Sequence, residues 1–221
     1  MLIVHHLNNS RSQRVLWLLE ELGLPYEIRF YERDPVTRLA PPALRAVHPL
    51  GKSPVLVDGD VTVAETGAIV EYLVDKNGGR LRPEEGTPER RRWTYWMHFA
   101  EGSLMQQLLL DLILSSAPAR APEPMRAAAT AVTDGARQGY VAPNLKAMFD
   151  LVEAELGRSP WFAGEEFSAA DVMMSFPLET ARARSGAFEG RPRLAAFVER
   201  IHARPAYRKA LVRGGPYAFA E

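Results

Sequence analysis

Apolar residues come in short runs over the first third of the chain and at three- and four-residue intervals over the rest. Leu2 to Leu7 reads as a strand. Asn8-Asn9-Ser10 follows as a turn built from helix-capping residue types. Val15, Leu16, Leu18, Leu19 and Leu22 then form the apolar face of a helix from about Arg11 to Leu22, stopped by Gly23 with Pro25 beyond. Tyr26 to Tyr31 predicts a second strand, and Pro42 to Val47 a short helix. Val55-Leu56-Val57 and Val61 to Ala64 flank Asp58-Gly59, a strong two-residue hairpin signal. Ile69, Val70, Leu73 and Val74 mark the next helix, which Asn77-Gly78-Gly79 ends. The order is βαβαββα, an α/β unit.

The remainder patterns as all-α. One long helix is predicted from Glu89 to about Ser115, and a proline-rich connection, APARAPEP, follows at Ala117 to Pro124. Helical patterning resumes from Met125 to Gly157, interrupted near Gly139 and Pro143. Ser168-Ala169-Ala170-Asp171 resembles a capping box, with Phe167 and Val172 placed as a hydrophobic staple. Further helices are expected at Leu194 to His202 and Ala206 to Val212. The expected division is a first domain at 1–79, a Gly-, Pro- and charge-rich linker at 80–88, and a helical domain at 89–221.

Composition narrows the function classes. The 221 residues suffice for one large or two modest domains. Lys plus Arg equals Asp plus Glu at 27 each, so nothing in the charge balance calls for nucleic acid or an anionic membrane. With no cysteine, disulfides, thiolate metal sites and a cysteine nucleophile are excluded. No histidine spacing suggests a metal site, and His5 and His6 fall on opposite faces of a strand. The apolar run at Leu104 to Leu114 is too short to span a bilayer and carries Gln106, Gln107 and Asp111, so no integral membrane segment is expected. The N-terminus has no basic stretch before a long apolar run, and so does not read as a secretory signal. A cytoplasmic protein is expected.

Two places could hold a ligand. Ser53 precedes a proline and is pushed towards extended backbone, where its N–H and C=O could pair with an extended peptide. Glu65-Thr66 opens a helix, where free amides and the dipole favour an anion. For each of these residues alone, a scaffold or capping role explains the sequence equally well, and Asp171 reads as a structural cap.

The order of these parts, HPLGKSPVLVDGDVTVAETGAIVEYL, resembles the glutathione-binding part of the thioredoxin-like domain of glutathione transferases. NNSRSQRVLWLLEELGLPYE is similar to the first helix of that superfamily, and FSAADVMMSFPL to a capped buried helix of its C-terminal domain. YERDPVTRLAPPALRAVHPLGKSP and FAEGSLMQQLLLDLIL resemble a fungal and bacterial subgroup that includes a yeast microsomal member. The resemblance implies a thioredoxin-like domain followed by a helical domain, a homodimer, and no resident cofactor. Glutathione would be the co-substrate, conjugated to a small hydrophobic electrophile. The same thiolate could also reduce hydroperoxides.

By that resemblance Pro54 would be cis and Ser53 would pair with the cysteinyl part of glutathione. Glu65 and Thr66 would hold its γ-glutamyl end, Lys52 could reach its glycine carboxylate, and Arg11 would also touch it. The thiol activator would come from Asn8 to Ser12. His5-His6-Leu7 stands where tyrosine-type members carry their tyrosine, and the serine of serine-type members falls on Asn9 with Ser10 beside it. Ser10 is the first candidate and Asn9 the second; either could instead merely cap the helix. Phe99, Ser103 and Gln106, with Met105, are candidates to line the electrophile pocket, although core packing explains Phe99 and Met105 as well. A glutathione-binding or regulatory module without catalysis is the alternative.

Overall fold

The computed structural model describes residues 1–37, 39–184 and 186–220. Strand β1 (Leu2–Leu7) is followed by α1 (Ser12–Leu22), β2 (Tyr26–Tyr31), α2 (Ala43–Val47), β3 (Val55–Asp58), β4 (Val61–Ala64) and α3 (Thr66–Lys76). The sheet order is β2-β1-β3-β4. β2 lies parallel to β1, β3 antiparallel to β1, and β4 antiparallel to β3. The chain thus forms a thioredoxin-like α/β unit in the βαβαββα order that its pattern predicts, followed by helices alone.

α1 is apolar on more than one face because it is covered on more than one side. Val15, Leu16, Trp17, Leu18 and Leu19 are all essentially buried. One side packs on the sheet and α3, the other on the helical part. Gly23 ends the helix at φ 70°, and Leu24 N–H donates to the Leu19 carbonyl at 3.0 Å.

The helical part comprises α4 (Pro88–Phe99), α5 (Met105–Ser116), α6 (Arg126–Ala136), α7 (Ala142–Glu155), α8 (Ala169–Arg184), α9 (Pro192–His202) and α10 (Pro205–Gly214). The single helix expected over 89–115 is divided: a π-helical turn, Ala100–Leu104, joins α4 to α5. A second, Arg137–Val141, joins α6 to α7 where Gly139 and Pro143 predict an interruption. Proline cannot donate the helix bond, and a wider turn absorbs the missing contact. Asp171 is the cap its motif suggests. It is fully buried and accepts from Phe162 N–H at 2.8 Å, Ser168 N–H at 2.8 Å and the Ser168 hydroxyl at 3.0 Å.

The two parts share one continuous core, from Val4, Leu16 and Leu56 through Trp93 and Phe162 to Met173, Phe197 and Ile201. Charged pairs tie its rim, with Glu21 to Arg204 at 2.5 Å and Glu20 to Lys209 at 2.6 Å. No helix among the described residues is long and apolar enough to cross a membrane.

Candidate functional site

Strand register gathers the predicted ligand residues at one end of the sheet. Val55 opens β3 and pairs with His5 on one side and Ala64 on the other. The residues just before β3, just after β1 and just after β4 therefore lie side by side. The first are Lys52, Ser53 and Pro54, the second Asn8 to Arg11, and the third Glu65 and Thr66. The Ser53 hydroxyl donates to the His5 carbonyl at 2.8 Å and accepts from Leu7 N–H at 3.2 Å, which fixes it against the end of β1. The Ser53–Pro54 bond is cis. Lys52 is exposed.

Glu65 does not cap α3 with its side chain. It sits at φ 72°, ψ 126°, exposed, with no side-chain bond to the helix; only its carbonyl is used, by Ile69 N–H at 2.9 Å. A left-handed φ at a non-glycine residue costs about 1–3 kcal/mol and recurs at ligand clamps. Thr66 beside it is buried.

The turn after β1 separates the two activator candidates. Ser10 is buried at 4% exposure, with its Oγ 2.7 Å from the Ser12 hydroxyl and accepting from Ser12 N–H at 3.2 Å. The Ser12 hydroxyl in turn lies 2.9 Å from His6 Nδ1. Burial lowers the His6 pKa to about 4, so the imidazole is neutral at pH 7. This Ser10-Ser12-His6 chain faces inward. Asn9, at φ 48°, faces the other way, and its Oδ1 accepts from Ala218 N–H in the C-terminal tail at 2.8 Å. Among the described residues its Nδ2 has no partner.

Arg11 is engaged by protein rather than left open. Its Nε donates to both oxygens of Glu101 at 3.0 and 2.9 Å. Arg14, fully buried, pairs with the same carboxylate. Burial alone would raise the Glu101 pKa; Arg14 and Arg11 outweigh it and hold the carboxyl below its ordinary value.

A cavity of about 650 Å³ opens beside this turn, between the two parts. Asn9, Arg11 and Arg33 line it from the first; Met105, Leu108, Leu109, Leu112, Phe176 and Phe219 form its apolar wall. Phe99, Ser103 and Gln106 are not part of that wall. Phe99 is packed against Trp96 and Tyr95, Ser103 is half-buried, and Gln106 is exposed. On a regular helix these three would share a face, but the π turn at 100–104 rotates everything after it. Met105, Leu108, Leu109 and Leu112, spaced i, i+3, i+4, i+7, then face the cavity. The same turn carries Glu101, which meets α1.

Sequence reasoning missed Arg14, Glu101, Phe176 and Glu179. Glu179, on α8, is buried and accepts from Tyr207 at 2.5 Å and Tyr217 at 2.7 Å, with His202 Nε2 at 2.9 Å. Tyr217 thereby straps the C-terminal tail down, with Phe219 against the cavity. Only the polar positions Arg14 and Glu179 within otherwise apolar helices hinted at these contacts.

Comparison with known proteins agrees with this architecture. The glutathione S-transferase N-terminal domain family matches residues 10–76, and the C-terminal domain family of the same proteins matches 120–205. Glutathione S-transferase 3 of Schizosaccharomyces pombe is 40% identical, over 82% of this chain and 75% of its own. Glutathione S-transferase 1 of Saccharomyces cerevisiae is 35% identical, over 92% of this chain and 91% of its own. Among solved structures, a glutathione S-transferase from Actinobacillus pleuropneumoniae superposes with a TM-score of 0.79 at 31% identity, covering 99% of this chain and 94% of the other. A sphingomonad glutathione S-transferase in complex with glutathione gives 0.72 at 25% identity, with 96% and 98% covered. Matched in both domains and along most of its length, this chain belongs to the glutathione transferase family, and its function is glutathione transfer.

Proposed function

We propose that glutathione lies along the sheet end formed by Lys52, Ser53, Pro54, Glu65 and Thr66, with its sulfur at Asn9 and the electrophile in the adjoining cavity. The domain at 1–79 would bind glutathione, and the helical domain at 89–221 would supply most of the electrophile wall. Glu65 carries a carboxylate, unpartnered among the described residues, for the γ-glutamyl ammonium; Thr66 offers a hydroxyl for its carboxylate, and Lys52 a cation for the glycine end.

The observation that carries the choice of activator is the split between Asn9 and Ser10. A free thiol has a reference pKa near roughly 8.5, and lowering it by about two units corresponds to about 2.7 kcal/mol in favour of the anion. The thiolate is the nucleophile, so a donor must face the sulfur. Ser12 N–H is bound to Ser10 Oγ, Gln13 N–H to the Ser10 carbonyl, and Arg14 N–H to the Arg11 carbonyl, which occupies the first amides of α1. The Ser10 hydroxyl is turned inward, and the Arg11 Nε is engaged by Glu101, a carboxylate it shares with Arg14. The Asn9 amide remains: the bond from Ala218 fixes its oxygen and leaves Nδ2 to donate. Asn9 therefore takes precedence over Ser10, whose role becomes holding the turn.

The decisive experiment is a titration of bound glutathione, following thiolate absorbance against pH in wild type, Asn9→Ala and Ser10→Ala. A depressed thiol pKa that reverts in Asn9→Ala supports this reading. Reversion only in Ser10→Ala restores serine-type activation. Tight binding with an ordinary pKa in wild type removes the activator claim altogether. The protein is further read as a cytoplasmic homodimer, on the family's pattern. Light scattering across a dilution series reads its mass, and fractionation its compartment.

A further inference from the structure

We propose that the cavity selects electrophiles that carry a carboxylate, and that Arg184 is the residue that reads it. The inference rests on the reading of this cavity as the electrophile site.

Arg184 is in the last turn of α8 and lines the cavity. Its guanidinium lies 4.7 Å from the centre of the Phe219 ring. Among the described residues it has no acidic partner. Three other charged residues line the wall: Arg33 is not free, Arg11 shares Glu101 with Arg14, and Asp111 is paired with Arg137 at 2.8 Å. Arg184 is thus a cation held over an aromatic ring with no counter-ion among the described residues. Arg184 is exposed at the cavity rim; the desolvation it does feel pulls its pKa below the ordinary guanidinium value, and Tyr217 offsets this in part. A carboxylate on the ligand would supply the missing partner in a fork geometry.

The placement suits one molecule of moderate size. Phe219 touches Arg184, and its neighbour Ala218 holds Asn9. Phe176 meets Phe219 edge to face, with ring centres 5.7 Å apart. An aryl electrophile against these two rings would have its reacting carbon towards Asn9 and its carboxylate towards Arg184. The apolar wall from Met105 to Leu112 would cover the rest.

The probe pair is 4-chloro-3-nitrobenzoate and its methyl ester, with glutathione. The thiol proton goes to solvent. The thiolate forms a C–S bond at the chlorine-bearing carbon, and chloride departs with the C–Cl electron pair. Each kcat/KM is divided by the uncatalysed rate constant of the same probe, which removes intrinsic reactivity. The acid-to-ester ratio should exceed one in wild type, fall by about tenfold in Arg184→Gln, and partly recover in Arg184→Lys. Calorimetric Kd values for the two finished conjugates give the same comparison without turnover. A ratio of one in wild type, or the same ratio in all three proteins, overturns the assignment while leaving the cavity as the electrophile site. A Leu108→Trp variant that narrows the wall tests the cavity itself. If both probes react and bind as before in Leu108→Trp, the cavity reading fails and the inference fails with it.

Discussion

Nη1 of Arg14 donates to the carbonyl oxygen of Met173 at 2.7 Å, and Met173 lies four residues before Pro177 in α8. Pro177 has no N–H, so the Met173 carbonyl loses its partner within the helix. A buried carbonyl left unpaired costs about 1–3 kcal/mol. The guanidinium from α1 fills that place while also pairing with Glu101, so one side chain joins α1, α8 and the π turn after α4. Arg14→Ala should cost about 3 kcal/mol, because it strands the Met173 carbonyl and takes one of two guanidinium partners from Glu101. In a Pro177→Ala background the helix regains its own donor, and the same substitution should cost at least about 1 kcal/mol less. Urea unfolding of the four proteins reads this coupling; strict additivity would show that the Met173 bond is energetically silent.

The His6 environment predicts an acid-sensitive stability term. The imidazole has a reference pKa of 6.5, lowered to about 4 by burial in the fold. Between those values the unfolded chain takes up a proton that the native protein refuses, so stability falls as pH drops from about 6.5 towards 4. Between pH 7 and pH 5 this one group should cost about 2 kcal/mol. His6→Gln keeps a side chain able to reach Ser12 without titrating. The stability gap between wild type and variant should shift by that amount in the variant's favour at pH 5. A gap that does not change with pH would mean that His6 is not shielded.

Glu65 presents a trade between stability and ligand affinity. Its left-handed backbone suits glycine, and its side chain makes no hydrogen bond to α3. Glu65→Gly should raise stability by about 1 kcal/mol, even after the extra entropy of glycine in the unfolded chain. Glutathione affinity should fall by about tenfold or more as the carboxylate is lost. Melting curves and calorimetry on one pair of proteins give both numbers. Unchanged affinity would place the γ-glutamyl end elsewhere.

The C-terminal tail links the cavity wall to the candidate activator. Tyr217 anchors it to Glu179, burial first and Glu179 next raising the phenol pKa so that the hydroxyl stays a donor throughout the working range. Tyr217→Phe removes that anchor and should cost about 1–2 kcal/mol. Because Ala218 and Phe219 would loosen with it, KM for the electrophile should rise more than KM for glutathione. Equal changes in both would show that the tail supports the fold and not the pocket.

Much of this was open to reading along the chain. The βαβαββα order followed from alternation, from Asp58-Gly59 and from Gly23, because these signals act over a few residues and depend only on local backbone preference. The Ser168-to-Asp171 cap was legible for the same reason. The strand order was not stated by the pattern, yet it is what brings Ser53, Glu65 and Asn9 to one sheet end. The residues that line the cavity differ from those expected along the chain because a π turn changes helical phase without any sharp marker in sequence. Phe99, Ser103 and Gln106 would share a face of an ideal helix, and one wider turn at 100–104 moved that face away.

By itself the sequence determined the element types, the two-part architecture, the absence of thiol chemistry in the protein and the ligand family. Those properties live in short windows, in composition, or in motifs that keep their order. Only the tertiary structure decided that Ser10 turns inward to Ser12 and His6 while Asn9 meets Ala218, and that Arg14 serves the carbonyl stranded by Pro177. The partners in those contacts lie from a few residues to more than two hundred apart. Which polar group is left free at the site depends on what the rest of the fold has already satisfied.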